Sequence, residues 1–178
     1  MKLLLLTEFF PADNKMCFTG GVEARTFFIA KRLSKKNKVL LVYRKSKADT
    51  GADFISIFQR LIFMLTAFFK TLRLDFDLVE GSNFVTYLPV FLAAKIKNKP
   101  AVAWYADVLG KDWFKYFGIT GLFGFLMEKI SLILPWDRVI ALSQSTKIKL
   151  MKKGIDSKKI DLVYGGVDLK EFTPLANE

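Results

Sequence analysis

Short apolar runs alternate with longer stretches of helical periodicity along the chain. Residues 2–7, KLLLLT, carry four consecutive leucines, the composition of a parallel strand covered on both faces. A loop with Pro11, Asp13, Asn14 and the pair Gly20-Gly21 follows. Residues 22–36 then read as a helix whose expected buried side is Ala24, Phe27, Phe28, Ala30 and Leu33. Residues 39–43, VLLVY, are a second buried strand. If the two strands lie parallel in one sheet, this opening unit crosses over right-handed.

Residues 53–74 form the next helical run. At helical spacing Ser56, Gln59, Arg60, Thr66, Lys70, Thr71 and Arg73 fall on one arc. Phe54, Ile57, Phe58, Leu61, Leu65, Phe68, Phe69 and Leu72 fall opposite, while Phe63 and Leu74 break the pattern by lying among the polar residues. A membrane interface and a sheet face both fit such an aromatic stripe. Packing on the sheet is the expectation taken.

The remaining pattern repeats the alternation. Residues 77–80 are a short strand ending at Gly81-Ser82-Asn83, and residues 84–97 are helical, with Pro89 a candidate kink. Residues 100–105 are strand-like and lead into a loop through Asp107, Gly110 and Asp112. Residues 113–134 are aromatic and interrupted by Gly118, Gly121 and Gly124, so a broken helix is expected there. A strand over 137–142 precedes Ser143, a fitting N-cap for a helix that reaches Lys153 and stops at Gly154. Residues 160–164 are the last strand, and residues 165–178 read as the start of a linker. Six strands interleaved with helices predict an α/β fold: a doubly wound, mostly parallel, Rossmann-like sheet spanning residues 1–164. In such sheets ligands sit beyond the carboxyl ends of the strands, which directs attention to the loops at 8–21, 80–83, 106–112 and 143–145.

Composition narrows the chemistry. The chain has 178 residues, enough for one domain with a sizeable core, and at 52% hydrophobic and 15% aromatic it is not a disordered chain. Its 18 phenylalanines exceed what that core needs, so some rings are expected to face another domain, a ligand or a membrane. One cysteine, Cys17, and no histidine exclude an internal disulfide, a zinc site, a Cys-His pair and a Ser-His-Asp triad. A reducing, cytoplasmic setting fits. The formal charge of +11 points to an anionic partner. Residues 31–48 hold eight Lys or Arg and no acid, and Lys147, Lys149, Lys152, Lys153, Lys158 and Lys159 stand against Asp156 alone. A solubilising surface and attraction to anionic lipid headgroups both account for this, and nucleic acid is not expected. The runs at 61–69 and 116–127 are shorter than the roughly 20 residues needed to cross a bilayer. The leucines at 3–6 stop short of a secretory apolar region of roughly 7–15 residues.

The candidate chemistry starts at Gly20-Gly21, which lies after the first loop and before a helix. Glycine lets the backbone approach a ligand closely, and a helix start offers N–H groups and a positive dipole end, as a phosphate or sugar hydroxyl requires. An ordinary glycine turn reads the same way. Neither a G-x-G-x-x-G fingerprint nor a P-loop is present. Glu80 and Asn83 at one strand end, and Ser143 at another, are candidate substrate contacts by position, with turn and cap chemistry as the competing reading.

The opening LLLLTEFFPADNKMCFTGGVEARTFFIAKRLSKKNKVLLV resembles the start of the large retaining glycosyltransferase family often called family 4. The closing VIALSQSTKIKLMKKGIDSKKIDLVYGGVDLKEFTP resembles the end of the same family's N-terminal domain. Together they cover roughly half the chain. The resemblance implies one Rossmann-like half of a GT-B architecture, on the acceptor side of a cleft, with a C-terminal donor domain beyond the sequence. It implies a nucleotide-sugar donor as substrate, no metal or other cofactor, and a glycan or lipid-linked acceptor. It also implies that Gly20 and Gly21 reach the donor's phosphates and that this piece alone does not turn over. Two positions depart from the family's pattern. Where members often carry His-Asp after the fourth strand, AWYADVLG places Ala106 and Asp107, leaving Asp107 and Tyr105 as the catalytic candidates. Gly165 stands where an asparagine is usual. The expected function is sugar transfer with retention, by a cytoplasmic protein for which a peripheral place at the inner membrane face is one expectation. The alternatives are a non-catalytic subunit working with a separate chain and a basic nucleic-acid-binding domain.

Overall fold

The computed structural model describes residues 1–11, 18, 20–44 and 57–166. Strands β1 (Lys2–Leu6), β2 (Lys38–Val42), β3 (Leu78–Gly81), β4 (Ala101–Tyr105), β5 (Arg138–Ala141) and β6 (Ile160–Leu162) form one sheet. Their order is β2-β1-β3-β4-β5-β6, and every neighbouring pair is parallel. Between them run α1 (Gly21–Leu33), α2 (Ile57–Arg73), α3 (Phe84–Ile96), α4 (Asp112–Phe117), α5 (Gly121–Ile133) and α6 (Gln144–Lys152). The doubly wound α/β reading of the sequence holds.

The register explains the layering. Alternation along the strands puts Leu4, Leu6, Val79, Ala103, Val139 and Ile160 on one face of the sheet. That face packs against Phe63, Met64 and Ala67 of α2, Val85, Val90 and Ala94 of α3, Leu132 of α5 and Leu150 of α6, in one continuous core. Trp104 and Glu80 point to the other face, where Arg25 of α1 meets both. The chain runs one way from β1 to β2 and then back past β1 to β3 and onward. Right-handed crossovers therefore set α1 on one side and the later helices on the other. The direction reverses between β1 and β3, and their carboxyl ends open the crevice typical of such sheets.

Two helices present other faces than their periodicity suggests. In α1 the buried line is Glu23, Thr26 and Ala30, while Phe27 and Phe28 are only half-buried and stack on Phe18 at ring separations of 5.5 and 5.6 Å. In α2 the core takes Phe63, Met64, Ala67 and Thr71, on the arc read from sequence as polar. Phe58, Leu65 and Phe69, expected inside, are 70%, 62% and 54% exposed. Amphipathicity gave the wrong side: Arg60 turns inward to reach Glu8, and the aromatic stripe faces outward.

The aromatic run 113–134 is broken as expected. Helix α4 ends at a single 3₁₀ turn, Gly118–Thr120, and α5 folds back beside it. Gly118 has φ +56°, which a side chain would strain. A Cβ on Gly124 would lie 2.4 Å from the Trp113 ring. Glycine at this position is what lets the two arms close. As one segment, Asp112–Ile133 is long and apolar enough to span a bilayer by length and composition. In the fold it is a hairpin on the domain surface.

Candidate functional site

The crevice at the switch point is built from the ends of β1 and β3 and the first turns of α1, α2 and α3. Thr7 and Glu8 follow β1 and are both buried. Glu8 accepts a hydrogen bond from Arg60 Nε at 3.0 Å and one from Asn83 Nδ2 at 3.4 Å. Burial raises the Glu8 carboxyl above the usual range, and the Arg60 charge opposes the shift. On the other side of the sheet Arg25 forms a two-pronged ion pair with Glu80 and lies 4.5 Å over the Trp104 ring. Two ion pairs thus flank the crevice, one on each face of the sheet. Both fix helices to strand ends with charge-assisted hydrogen bonds.

The positions read from sequence divide into three groups. Tyr105 is corrected: it is 1% exposed, and its hydroxyl donates to Ser131 Oγ at 2.8 Å inside the core. Burial pushes its ionisation far upward, so it offers neither a contact nor a base to the crevice. Glu80, Asn83 and Ser143 stand at the expected rim, with their polar atoms engaged by the chain itself. Glu80 is paired with Arg25, Asn83 Oδ1 accepts from Thr86 N at 3.2 Å, and Ser143 Oγ accepts from Thr146 N at 3.1 Å. Asp107, Gly20 and Gly21 face outward. Asp107 is exposed and accepts from Lys149 Nζ at 2.8 and 2.9 Å, a surface pair that solvent screens. Ala106 presents its carbonyl to Thr146 Oγ1 at 2.9 Å.

Four residues important to the site went unrecognised in the sequence. Arg25, Glu8 and Arg60 are hidden because their partners lie 52 to 75 residues away. Glu128 is the fourth. Buried in α5, it accepts from Leu109 N at 2.9 Å, Gly110 N at 2.7 Å and Trp113 Nε1 at 3.1 Å, so it holds the loop that carries Asp107. In the sequence it is marked only as the acid that ends the apolar run at 116–127.

The helices that start at the rim differ in how their first turns are capped. Helix α3 opens on a capping box between Asn83 and Thr86, and α6 on the Ser143 cap. Helix α4 has no side-chain cap, and neither does α1. Gly20 is extended there at φ −173°, and neither Gly20 nor Gly21 takes a positive φ. A Cβ built on either meets nothing within 4 Å. Among the described residues nothing requires glycine at these two positions. What two glycines do supply is an open approach to the backbone N–H groups of a helix start, on the same rim as Asp107 and Lys149. At the opposite rim Met1, Lys2, Lys38 and Asp77 line a wide, shallow depression. It gathers strand starts, surface lysines and the C-terminal end of α1. Among the described residues no cluster of His, Cys, Asp and Glu is placed to hold a metal.

Fold and rim together define one Rossmann-like half of a GT-B protein. The family model described as Glycosyltransferase Family 4 matches residues 19–171, and the chain belongs to that family. Among solved structures it is similar to Anabaena Alr3699/HepE in complex with UDP and glucose, at 18% identity and a TM-score of 0.62, over 96% of this chain and 46% of that one. It is also similar to UDP-N-acetylglucosamine 2-epimerase from Rickettsia bellii, at 14% identity and a TM-score of 0.61, over 91% of this chain and 44% of that one. A third is the lipopolysaccharide outer core galactosyltransferase WaaB in its apo form, at 16% identity and a TM-score of 0.55, over 95% and 47%. These likenesses concern the fold. The chain spans about half the length of each. No curated protein matches the sequence.

Proposed function

We propose that the chain is the N-terminal, acceptor-side half of an enzyme that moves a sugar from a nucleotide-sugar donor to an acceptor with retention of anomeric configuration. The observation that carries this reading is the start of α1. Unlike α3 and α6 it has no side-chain cap, and it opens on two glycines that no described residue requires. A diphosphate fits such a feature: N–H groups donate to its oxygens and the helix dipole favours its charge. Lys149, and Lys153 beside Gly110, add cations along the same rim. Alr3699/HepE, of the same fold, is a UDP-bound protein.

Transfer would then depend on placement and on stabilising the departing phosphate. Asp107, exposed and held by Lys149, is the acidic side chain nearest to an acceptor-orienting role, and the Glu128-bound loop fixes its position. The test is nucleoside diphosphate release by the full-length protein from a panel of nucleotide sugars, with the product's anomeric configuration read by NMR. Inversion overturns the retention clause, and no binding of any nucleotide sugar overturns the reading.

Ala106 favours a second reading. The position that carries an imidazole in many members of the resembled family has only a methyl group here, as expected of a non-catalytic subunit that needs a separate chain. Nucleotide-sugar binding without turnover, restored by a second polypeptide, would select it.

A further inference from the structure

The outward side of α2 is unusual for a surface helix. Its core-facing residues are Phe63, Met64, Ala67 and Thr71. At 100° per residue the direction opposite to them falls on Phe58, Ile62, Leu65 and Phe69, all exposed. A helix apolar on both sides is normally covered on both. The feature extends beyond α2. Helix α3 packs between α2 and α5 on the same face of the sheet and turns Leu92 and Ile96 outward. Helix α5 turns out Leu122, Leu126 and Ile133, and the α4–α5 hairpin ends in Tyr116, Phe117 and Ile119, the last 85% exposed. Isolated exposed apolar residues need no explanation, but a band across adjacent helices does.

We propose that this outer surface of α2, α3 and the α4–α5 hairpin is a membrane-docking face, which lays its apolar side chains into the interface of a bilayer containing anionic lipid. Charge selects the occupant. Lys70 and Arg73 close α2, Lys95 closes α3, Lys115 lies in α4, and Lys129 falls within the exposed stripe of α5. Against them the four helices carry two acids, Asp112 at the surface and Glu128 buried with its three donors. Aromatic and aliphatic side chains interleaved with lysine are the composition of an interfacial surface. Protein interfaces are depleted in lysine. A second copy of the chain seated symmetrically on this face would set its cations against their like. The docking face is independent of the transfer reaction, since the rim that holds Gly20 and Asp107 lies at the edge of the sheet and this band covers a layer.

The experiment is flotation of the purified full chain with phosphatidylcholine vesicles and with vesicles that also contain phosphatidylglycerol, at low and high salt. Binding to the anionic vesicles, weakened by salt, is expected. The triple variant Phe58→Ser, Leu65→Ser, Phe69→Ser changes exposed positions, so its thermal melt should match the parent's, while its partition should fall at least about tenfold. Lys95→Gln with Lys129→Gln should cost roughly tenfold or more on anionic vesicles and leave the weak binding to neutral ones unchanged. No binding of the parent to anionic vesicles overturns the proposal. So does a dimer in sedimentation equilibrium that the triple variant dissociates, which would make the face a protein interface. Neither readout depends on whether a sugar is transferred.

Discussion

Replacing Gly21 with alanine separates a ligand-binding role from a structural one. Alanine exceeds glycine by up to about 1 kcal/mol in a helix interior and by less in the first turn, so about 0.5 kcal/mol is a fair expectation. Nothing lies within 4 Å of the added methyl to offset that gain. For a domain of this size the melting temperature should rise by about 1–2 °C. Gly124→Ala provides the contrast. Its methyl would sit 2.4 Å from Trp113, and overpacking of that kind costs about 1–3 kcal/mol. If the α1 start holds a diphosphate, a methyl at Gly21 displaces the anion and weakens one or two charge-assisted hydrogen bonds. Each is worth about 1.5–3 kcal/mol, so kcat/KM should fall by at least about tenfold. The assays are a thermal melt on each variant and donor turnover by the full-length protein. A Gly21→Ala protein that melts higher and turns over donor at the parental rate would refute the reasoning.

The buried acids and the core tyrosine give three further expectations. Glu128→Ala leaves three donors without their acceptor, at about 1–3 kcal/mol each, so a loss of about 3 kcal/mol or more and a fall in melting temperature near 10 °C are expected in calorimetry. Glu8 has a carboxyl pKa raised by burial, so the native state holds its proton more tightly than the unfolded chain does. The stability this contributes is complete below the ordinary carboxylate range and is lost as pH rises through the raised value. Denaturant titrations across that window should show Glu8→Gln gaining on the parent as pH rises, and a gap that shrinks instead would refute the assignment. Tyr105→Phe removes one core hydrogen bond and should cost about 1 kcal/mol while leaving donor binding unchanged, as isothermal titration would record.

The order and kind of the elements follow from the sequence alone. Four leucines at positions 3–6, the run at 39–43 and their helical interludes point to a parallel, doubly wound sheet, because apolar runs of strand length that alternate with helical periods pack as βαβ units. The cap at Ser143 and the break at Gly118 were equally legible, since each depends on backbone chemistry within a few residues. The facing of the helices was not. Periodicity placed the α2 aromatics inside, whereas in the fold they lie outside and Arg60 of the same helix reaches Glu8, 52 residues away. Tyr105 looked like a rim residue from its place at a strand end, and only the pleat turned it into the core against Ser131. Local propensity and periodicity are properties of the chain. Which side of an element is buried depends on partners that meet only after folding, and at this rim those partners are the charges Glu8, Arg25, Arg60 and Glu80 and the buried acceptor Glu128.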